Sequence, residues 1–154
     1  AAPYLERVET DPEAKFQSEK LREEAIVEYL KTAKIFGRLH ERFPSHELAG
    51  PAGLQSGEAY MRAGQTQRAL DTFLKVSRDQ AYDGPKIRAR AMYWAGTCYQ
   101  KLRQPMAAFS IYKRLTYDFP ESDWAKNAIG QLSQPGLADL ESKLELERLE
   151  AQQE

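Results

Sequence analysis

The segment GEAYMRAGQTQRALDTF, residues 57–73, has the strongest structural signal in the chain, because its pattern recurs as GTCYQKLRQPMAAFSIY at residues 96–112. In each copy a glycine, an aromatic residue, an alanine and a second aromatic residue follow one another at steps of three, nine and four residues. The steps are identical in both copies, so the pattern is an internal repeat. Its members are Gly57, Tyr60, Ala69 and Phe73, then Gly96, Tyr99, Ala108 and Tyr112.

Each copy predicts two antiparallel helices joined by a short turn. A glycine and an aromatic residue three positions apart lie on one helical face, as do an alanine and an aromatic residue four positions apart. Between the two helices stands Gly64 in the first copy, a residue that favours a helix C-terminus, and Pro105 in the second, which favours a helix start. Because both connections are short, we expect the joined helices to be neighbours.

This pattern resembles the tetratricopeptide repeat, which has glycine and tyrosine on its first helix, alanine and an aromatic residue on its second, and a closing proline. Pro120 supplies that proline in the second copy, whereas the first has Ala81. A third, partial copy lies nearer the N-terminus, and it pairs Phe36 with Tyr112, Leu39 with Leu115, Phe43-Pro44 with Phe119-Pro120, Ala49 with Ala125 and Ala52 with Ala128. The resemblance covers about residues 28–133 and implies an all-α solenoid of helical hairpins.

A finer resemblance lies in Tyr93-Trp94-Ala95-Gly96 and in residues 117–125, which contain Phe-Pro-x-Ser followed by an alanine. These segments resemble the repeats of bacterial envelope proteins, including the Tol–Pal-associated periplasmic coordinator and the outer-membrane assembly lipoproteins. The resemblance implies a periplasmic or outer-membrane-associated location in a bacterium, with the cytoplasm as the alternative.

Length and composition limit the classes of protein to which the chain can belong. The chain has 154 residues, of which 42% are hydrophobic and 29% charged, enough for one packed domain. No apolar run approaches the roughly 20 residues that cross a bilayer, so we expect no membrane span. The single cysteine, Cys98, excludes an internal disulfide. The chain opens with Ala1 instead of methionine, which indicates a removed segment or a fragment.

Helix start and stop signals predict an extended arm at residues 1–11, a helical repeat domain at 12–134 and a C-terminal helix at 135–154. Asp11-Pro12 has the pattern of a helix start, so a long N-terminal helix is expected there. The predicted helices are 12–43, 51–63, 66–78, 85–102, 105–117, 122–132 and 137–151. In the last helix, Leu137, Leu140 and Leu144 form a stripe that is expected to cap the open end of the stack.

No residues have the pattern of a catalytic or metal centre. Cys98 lies on a packed helix and is interpreted as a small core residue. His40 and His46 are interpreted as solvated turn residues, because too few further ligands accompany them for a structural metal site. We therefore expect no enzyme activity, no cofactor and no bound metal.

Charge is distributed unevenly along a chain whose net charge is -1. Residues 50–119 carry 11 Lys/Arg against 5 Asp/Glu, whereas residues 120–154 carry 3 against 8. The run from Lys86 to Arg90 would suit phosphates, but nucleic-acid-binding domains are usually basic overall, so nucleic acid is not expected as a partner. The basic repeat core favours an acidic partner instead.

In tetratricopeptide repeat proteins the first helices of the hairpins line a concave groove, and the resemblance implies which residues line it here. They are Leu54, Glu58, Met61, Arg62, Arg90, Tyr93, Thr97 and Lys101. This mixture favours a peptide or an amphipathic helix, and it lacks the asparagine-containing carboxylate clamp of chaperone-binding members. Trp94 and Trp124 are interpreted as core residues.

The sequence thus predicts a non-catalytic protein-interaction module whose groove binds a segment of a partner in a larger assembly. The alternative is a structural subunit that binds through its outer helix faces and terminal helices. The residues of that second interface are Tyr4, Leu5, Leu146 and Leu149.

Overall fold

The computed structural model describes residues 11–153, which form seven α-helices and one π-helical turn without a β-strand in that range. The helices are α1 (Pro12–Arg42), α2 (Ala49–Arg62), α3 (Thr66–Arg78), α4 (Ala89–Lys101), α5 (Pro105–Asp118), α6 (Asp123–Leu132) and α7 (Pro135–Gln153). From α1 to α6 each helix packs mainly against the next one in the chain. The predicted all-α solenoid of hairpins is confirmed. The predictions for Tyr4 and Leu5 lie outside the described residues.

Helix starts follow the predicted capping residues. The Asp11 carboxylate accepts a hydrogen bond from the Glu13 amide at 3.0 Å, and Pro12 occupies the first turn of α1. The Ser122 hydroxyl accepts one from the Ala125 amide at 3.1 Å at the start of α6. These side chains satisfy amides that have no partner within their own helix.

The segment before α4 differs from the prediction of one helix over 85–102. Residues Gly84–Arg88 form a single π-helical turn, and α4 begins at Ala89. The Asp83 carbonyl oxygen accepts a hydrogen bond at 3.1 Å from the Arg88 amide, five residues later. A hydrogen bond that spans five residues makes the helical turn wider than an α-helical turn. The α-helical periodicity of the sequence does not predict this wider turn.

The two hairpin turns share one backbone geometry. Gly64 has a φ of 78°, and Arg103, at the equivalent position of the second copy, has a φ of 57°. In both turns the following residue donates its amide to the carbonyl oxygen five residues earlier at 2.9 Å, which is the Schellman motif. The second hairpin therefore has an arginine in a conformation that favours glycine.

The predicted close contact inside each hairpin is present. A Cβ placed on Gly57 would lie 2.5 Å from Cε1 of Phe73, and one on Gly96 would lie 2.6 Å from Cζ of Tyr112. Both aromatic side chains are fully buried. Only glycine lets the ring approach the first helix this closely, so the same contact fixes both hairpins.

Two buried clusters form the core, and α4 contributes to both. The first cluster lies between α2, α3 and α4 around Phe73 and Val76. The second lies between α4, α5 and α6 around Tyr112 and Leu115, and it includes Leu137 of α7. The hairpins are therefore continuous with one another through α4.

The partial third copy shares its helix-end backbone and two buried alanines with the second copy. Phe43 ends α1 with φ -128° and ψ 56°, and Phe119 ends α5 with φ -133° and ψ 58°. Ala49 and Ala125, which stand at matching positions after these phenylalanines, are both fully buried. Helix α1 is therefore equivalent to the second helix of a hairpin.

Helix α7 caps the stack through its first half. Leu137 is 3% exposed in the second cluster, and Leu140 packs against that cluster. Lys113 of α5 forms a salt bridge at 2.7 Å with Glu141. Leu144 is half-buried, and beyond it Leu146 and Leu149 are exposed.

Replacing Gly96 with leucine should lower the free energy of unfolding by on the order of 1–3 kcal/mol, because the Tyr112 ring occupies the space of the new side chain. Urea denaturation followed by circular dichroism measures the effect. Gly136→Leu is the matched control, because none of the described atoms lies within 4 Å of a Cβ there. Equal midpoints for Gly96→Leu and the parent would contradict the contact.

Shortening Leu137 to alanine should cost about 2–5 kcal/mol, since it removes a buried side chain from the second cluster. Leu146→Ala should change stability by less than about 0.5 kcal/mol, because Leu146 is 58% exposed. Thermal and urea melts of both variants test the cap. Similar losses for both would show that the whole of α7, and not its first half, supports the stack.

Candidate functional site

The first helices of successive hairpins, α2, α4 and α6, form what we call the inner face. Glu58 of α2 forms a salt bridge with Arg90 of α4. The Arg90 guanidinium also lies over the Trp124 ring of α6, with Cζ 5.8 Å from the ring centroid. Arg90 therefore contacts both neighbouring helices and stands at the centre of this face.

The Arg90 side chain is partly buried. Its side chain is 34% exposed, and that of Glu58 is 16% exposed. Its Nη2 donates a hydrogen bond to the Glu58 carboxylate, while its Nε is shielded from solvent and has no acceptor among the described residues. A guanidinium has five N–H donors in a planar fork, so this arginine retains donors for a further acceptor.

An aromatic cluster adjoins Arg90. The Tyr93 ring centroid lies 5.3 Å from that of Trp94, 5.4 Å from that of Trp124 and 5.9 Å from that of Tyr112. Such separations are typical of favourable aromatic pairs. The Trp94 Nε1 is shielded from solvent and finds no acceptor in residues 11–153. The inner face therefore combines a cation with flat aromatic rings.

One predicted groove residue lies in the core. Leu54 is 2% exposed and belongs to the first cluster, so its assignment to the groove is corrected. It precedes Gly57 by three residues and therefore lies on the helical face that packs within the fold. Met61 is half-buried against the same cluster. Leu54 therefore offers no free side chain to a partner, whereas Met61 is partly exposed.

Two of the predicted groove cations are exposed, one at the end of α2 and one at the end of α4. Arg62 and Lys101 lie at the C-terminal ends of α2 and α4 at equivalent positions of the repeat. The Arg62 Cζ lies 5.9 Å from the ring centroid of Tyr29 on α1. Thr97, by contrast, is half-buried with its hydroxyl 3.3 Å from the Tyr112 hydroxyl. Of the predicted set, the structure brings Glu58 and Arg90 into direct contact.

Sequence reasoning missed the role of Trp124, which it placed in the core without linking it to Arg90. A signal was present, because Trp124 follows Arg90 at the same interval at which Gly130 follows Gly96. That interval equals the length of the tetratricopeptide unit. Trp124 therefore occupies on α6 the position that Arg90 occupies on α4.

The two buried groups with strongly raised pKa values, Cys98 and Tyr112, have structural roles. Burial raises the pKa of Cys98 to about 11, so the thiol stays protonated, as expected for a core cysteine. Burial likewise raises the pKa of Tyr112 to about 12. No group of three or more metal-ligating side chains gathers anywhere in residues 11–153.

The prediction that His40 is solvated is wrong, because this side chain is half-buried between helices. Its Nδ1 lies 3.0 Å from the Ala49 carbonyl oxygen and 3.1 Å from the Tyr82 hydroxyl. His46 is exposed, as expected. His40 therefore links α1, the start of α2 and the segment before α4.

The basic run before and within α4 is largely used inside the fold. Arg88 donates from Nε to the Ser77 carbonyl oxygen at 2.9 Å, and its Cζ lies 5.3 Å from the Phe119 ring centroid. Arg90 is paired with Glu58. Two of the three cations therefore hold neighbouring elements together.

The family comparison agrees with the geometry. A family model described as the tetratricopeptide repeat matches residues 52–79 and 90–122. The first match contains most of α2 and all of α3, and the second contains most of α4 and all of α5. These matches support the tetratricopeptide repeat family, whose repeats generally mediate protein–protein interaction. Comparisons with curated proteins and with solved structures give no match.

A membrane span was not expected from the sequence. Within the part of the chain that the structure describes, no helix is both long enough and apolar enough to cross a bilayer.

Reversing Arg90 to glutamate should lower the free energy of unfolding by on the order of 1–3 kcal/mol, because it sets a second carboxylate against Glu58 and removes the contact with Trp124. Arg62→Glu and Lys101→Glu should each change it by less than about 0.5 kcal/mol, since both side chains are exposed. Parallel urea titrations of the three variants provide the comparison. A stable Arg90→Glu protein would show that the cation does not hold the three helices together.

Proposed function

We propose that this chain is a non-catalytic protein-interaction module whose inner face binds an acidic or amphipathic segment of a partner protein. The tetratricopeptide repeat matches support the general role. The observation that carries the finer proposal is Arg90, a cation beside Trp124 whose side chain stays 34% exposed although it is paired with Glu58. A guanidinium has five N–H donors, so its exposed part can donate to a ligand carboxylate while Glu58 holds the other side.

The proposed mechanism combines charge with ring contact. A partner carboxylate accepts charge-assisted hydrogen bonds from Arg90, and an apolar side chain next to it packs on the rings of Trp124 and Tyr93. Arg62 and Lys101 add attraction at longer range and speed association. The helices are already in place, so binding orders little of the protein.

The proposed setting is a larger assembly in a bacterial envelope, either periplasmic or associated with the outer membrane. Its support is the resemblance of Tyr93-Trp94-Ala95-Gly96 and of residues 117–125 to the repeats of envelope proteins. A cytoplasmic setting is the alternative. Fractionation of the native source with detection of this chain decides between them.

A second candidate function is that of a structural subunit that binds through its outer faces. Large apolar side chains are exposed in the first half of α1 and the second half of α7. They include Phe16, Leu21, Leu146 and Leu149. This alternative and the inner-face proposal differ in which residues a partner covers.

The inner-face proposal is tested with a fluorescein-labelled helical peptide that has glutamates on one face and leucines on the other. We expect saturable binding by anisotropy that weakens as salt rises, because exposed charges are screened. Arg62→Glu with Lys101→Glu should weaken binding at least about tenfold while the helical circular dichroism spectrum stays unchanged.

Two controls make this experiment decisive. Lys34→Glu with Lys75→Glu produces the same change in net charge on the exposed sides of α1 and α3, and it should leave binding close to that of the parent. A peptide with glutamine in place of glutamate should bind more weakly than the acidic one. Equal weakening by both pairs of reversals, or equal binding of both peptides, would refute recognition of carboxylates by the inner face.

A further inference from the structure

Helix α6 presents a hairpin-forming face that no described residue covers. The α4 residues Met92, Gly96 and Tyr99 pack against α5, the second helix of that hairpin. The residues of α6 that follow them by one repeat unit are Lys126, Gly130 and Ser133. Met92 and Gly96 are buried, whereas all three of the α6 residues are exposed. A Cβ on Gly130 would meet no described atom within 4 Å.

Helix α7 does not occupy this face, although it follows α6 in the chain. Its buried residue, Leu137, packs in the second cluster beside Leu132, and its salt bridge joins it to α5. Helix α7 therefore covers the end of the core and leaves Gly130 exposed. Helix α6 is the first helix of a hairpin whose second helix is missing among the described residues.

Helix α1 lacks the other kind of partner, a first helix that precedes it. In the alignment of the partial third copy, Thr32, Phe36 and Leu39 are equivalent to the α5 residues Ala108, Tyr112 and Leu115. The α5 residues are fully buried, but those of α1 are only half-buried, and Phe43 beyond them is exposed.

Another face of α1 packs on α2, where the Ser56 hydroxyl donates to the Ala33 carbonyl oxygen at 2.8 Å. Its remaining face, which includes Phe36, is free to meet a preceding helix. Helix α1 is therefore a second helix whose first helix is missing from residues 11–153.

We propose that two copies of this chain join head to tail, with α1 of one copy packing on the exposed face of α6 of the next. The Phe36 ring of the first copy then lies against Gly130 of the second. This contact continues the interface already present twice in the fold, between Gly57 and Phe73 and between Gly96 and Tyr112. Each copy supplies the helix type that the other lacks.

The symmetry of this contact sets the form of the assembly. The two surfaces differ, so the contact is heterologous and repeats from copy to copy. It produces a ring if the rotation closes and an open filament if it does not. The inner face, centred on Arg90, takes no part in the contact, so this inference is independent of the proposed ligand.

The first test is sedimentation velocity of the full chain over a wide range of concentrations. We expect the parent to self-associate and Gly130→Leu to associate at least about tenfold more weakly, because the added side chain fills the place of the Phe36 ring. Gly136→Leu is the matched control, an exposed helical glycine of α7 without a described neighbour within 4 Å. It should associate like the parent.

The second test fixes the direction of the contact. Two single variants, Phe36→Cys and Gly130→Cys, are treated with a short bismaleimide, separately and mixed. The native Cys98 is fully buried and its pKa is raised, so it should not react. Cross-linked dimers should form only in the mixture.

Several outcomes would overturn the inference. Cross-linking within one variant alone would indicate a two-fold dimer. A parent that stays monomeric, with no cross-link in the mixture, would show that the face is open or is covered by residues 1–10 or by a different protein. A Gly130→Leu protein that associates like the parent would place the self-contact elsewhere.

Discussion

The close approach of an aromatic ring to a glycine governs how the hairpins of this protein pack. At Gly57 and Gly96 the absence of a Cβ lets Phe73 and Tyr112 enter the adjoining first helix. This approach sets the distance between the paired helices, and both hairpins also share one turn geometry, at Gly64 and Arg103. Hydrophobic burial drives the stacking, but the glycine contact selects which faces meet.

The inner face follows from that stacking. Once α2, α4 and α6 lie side by side, Arg90 is enclosed between Glu58 and Trp124. A half-buried ion pair of this kind contributes modestly to stability, since desolvation offsets much of the attraction. The pair also holds the planar donors of the Arg90 guanidinium in one orientation, which the proposed binding of a carboxylate requires. Stability and the proposed binding therefore depend on the same residue.

Much of the fold was predictable from sequence because its determinants are local. Spacing identified both hairpins, and Asp11 and Ser122 identified helix starts. The site was less predictable: Leu54 is buried although the repeat pattern places it in the groove, and Trp124 contacts Arg90 from a different hairpin. Spacing identifies the face of a helix, but the burial of that face depends on the neighbouring helices.

Helix α4 contributes buried residues to two cores at once. Ala91 and Cys98 belong to the first cluster, while Ala89 and Met92 belong to the second. In a linear array each unit is stabilised mainly by its neighbours, and a helix shared by two units couples their opening. Local unfolding of α4 therefore removes one wall from each core. The expected consequence is cooperativity: the two hairpins should melt together, and amides on either side of α4 should exchange with solvent in one common event.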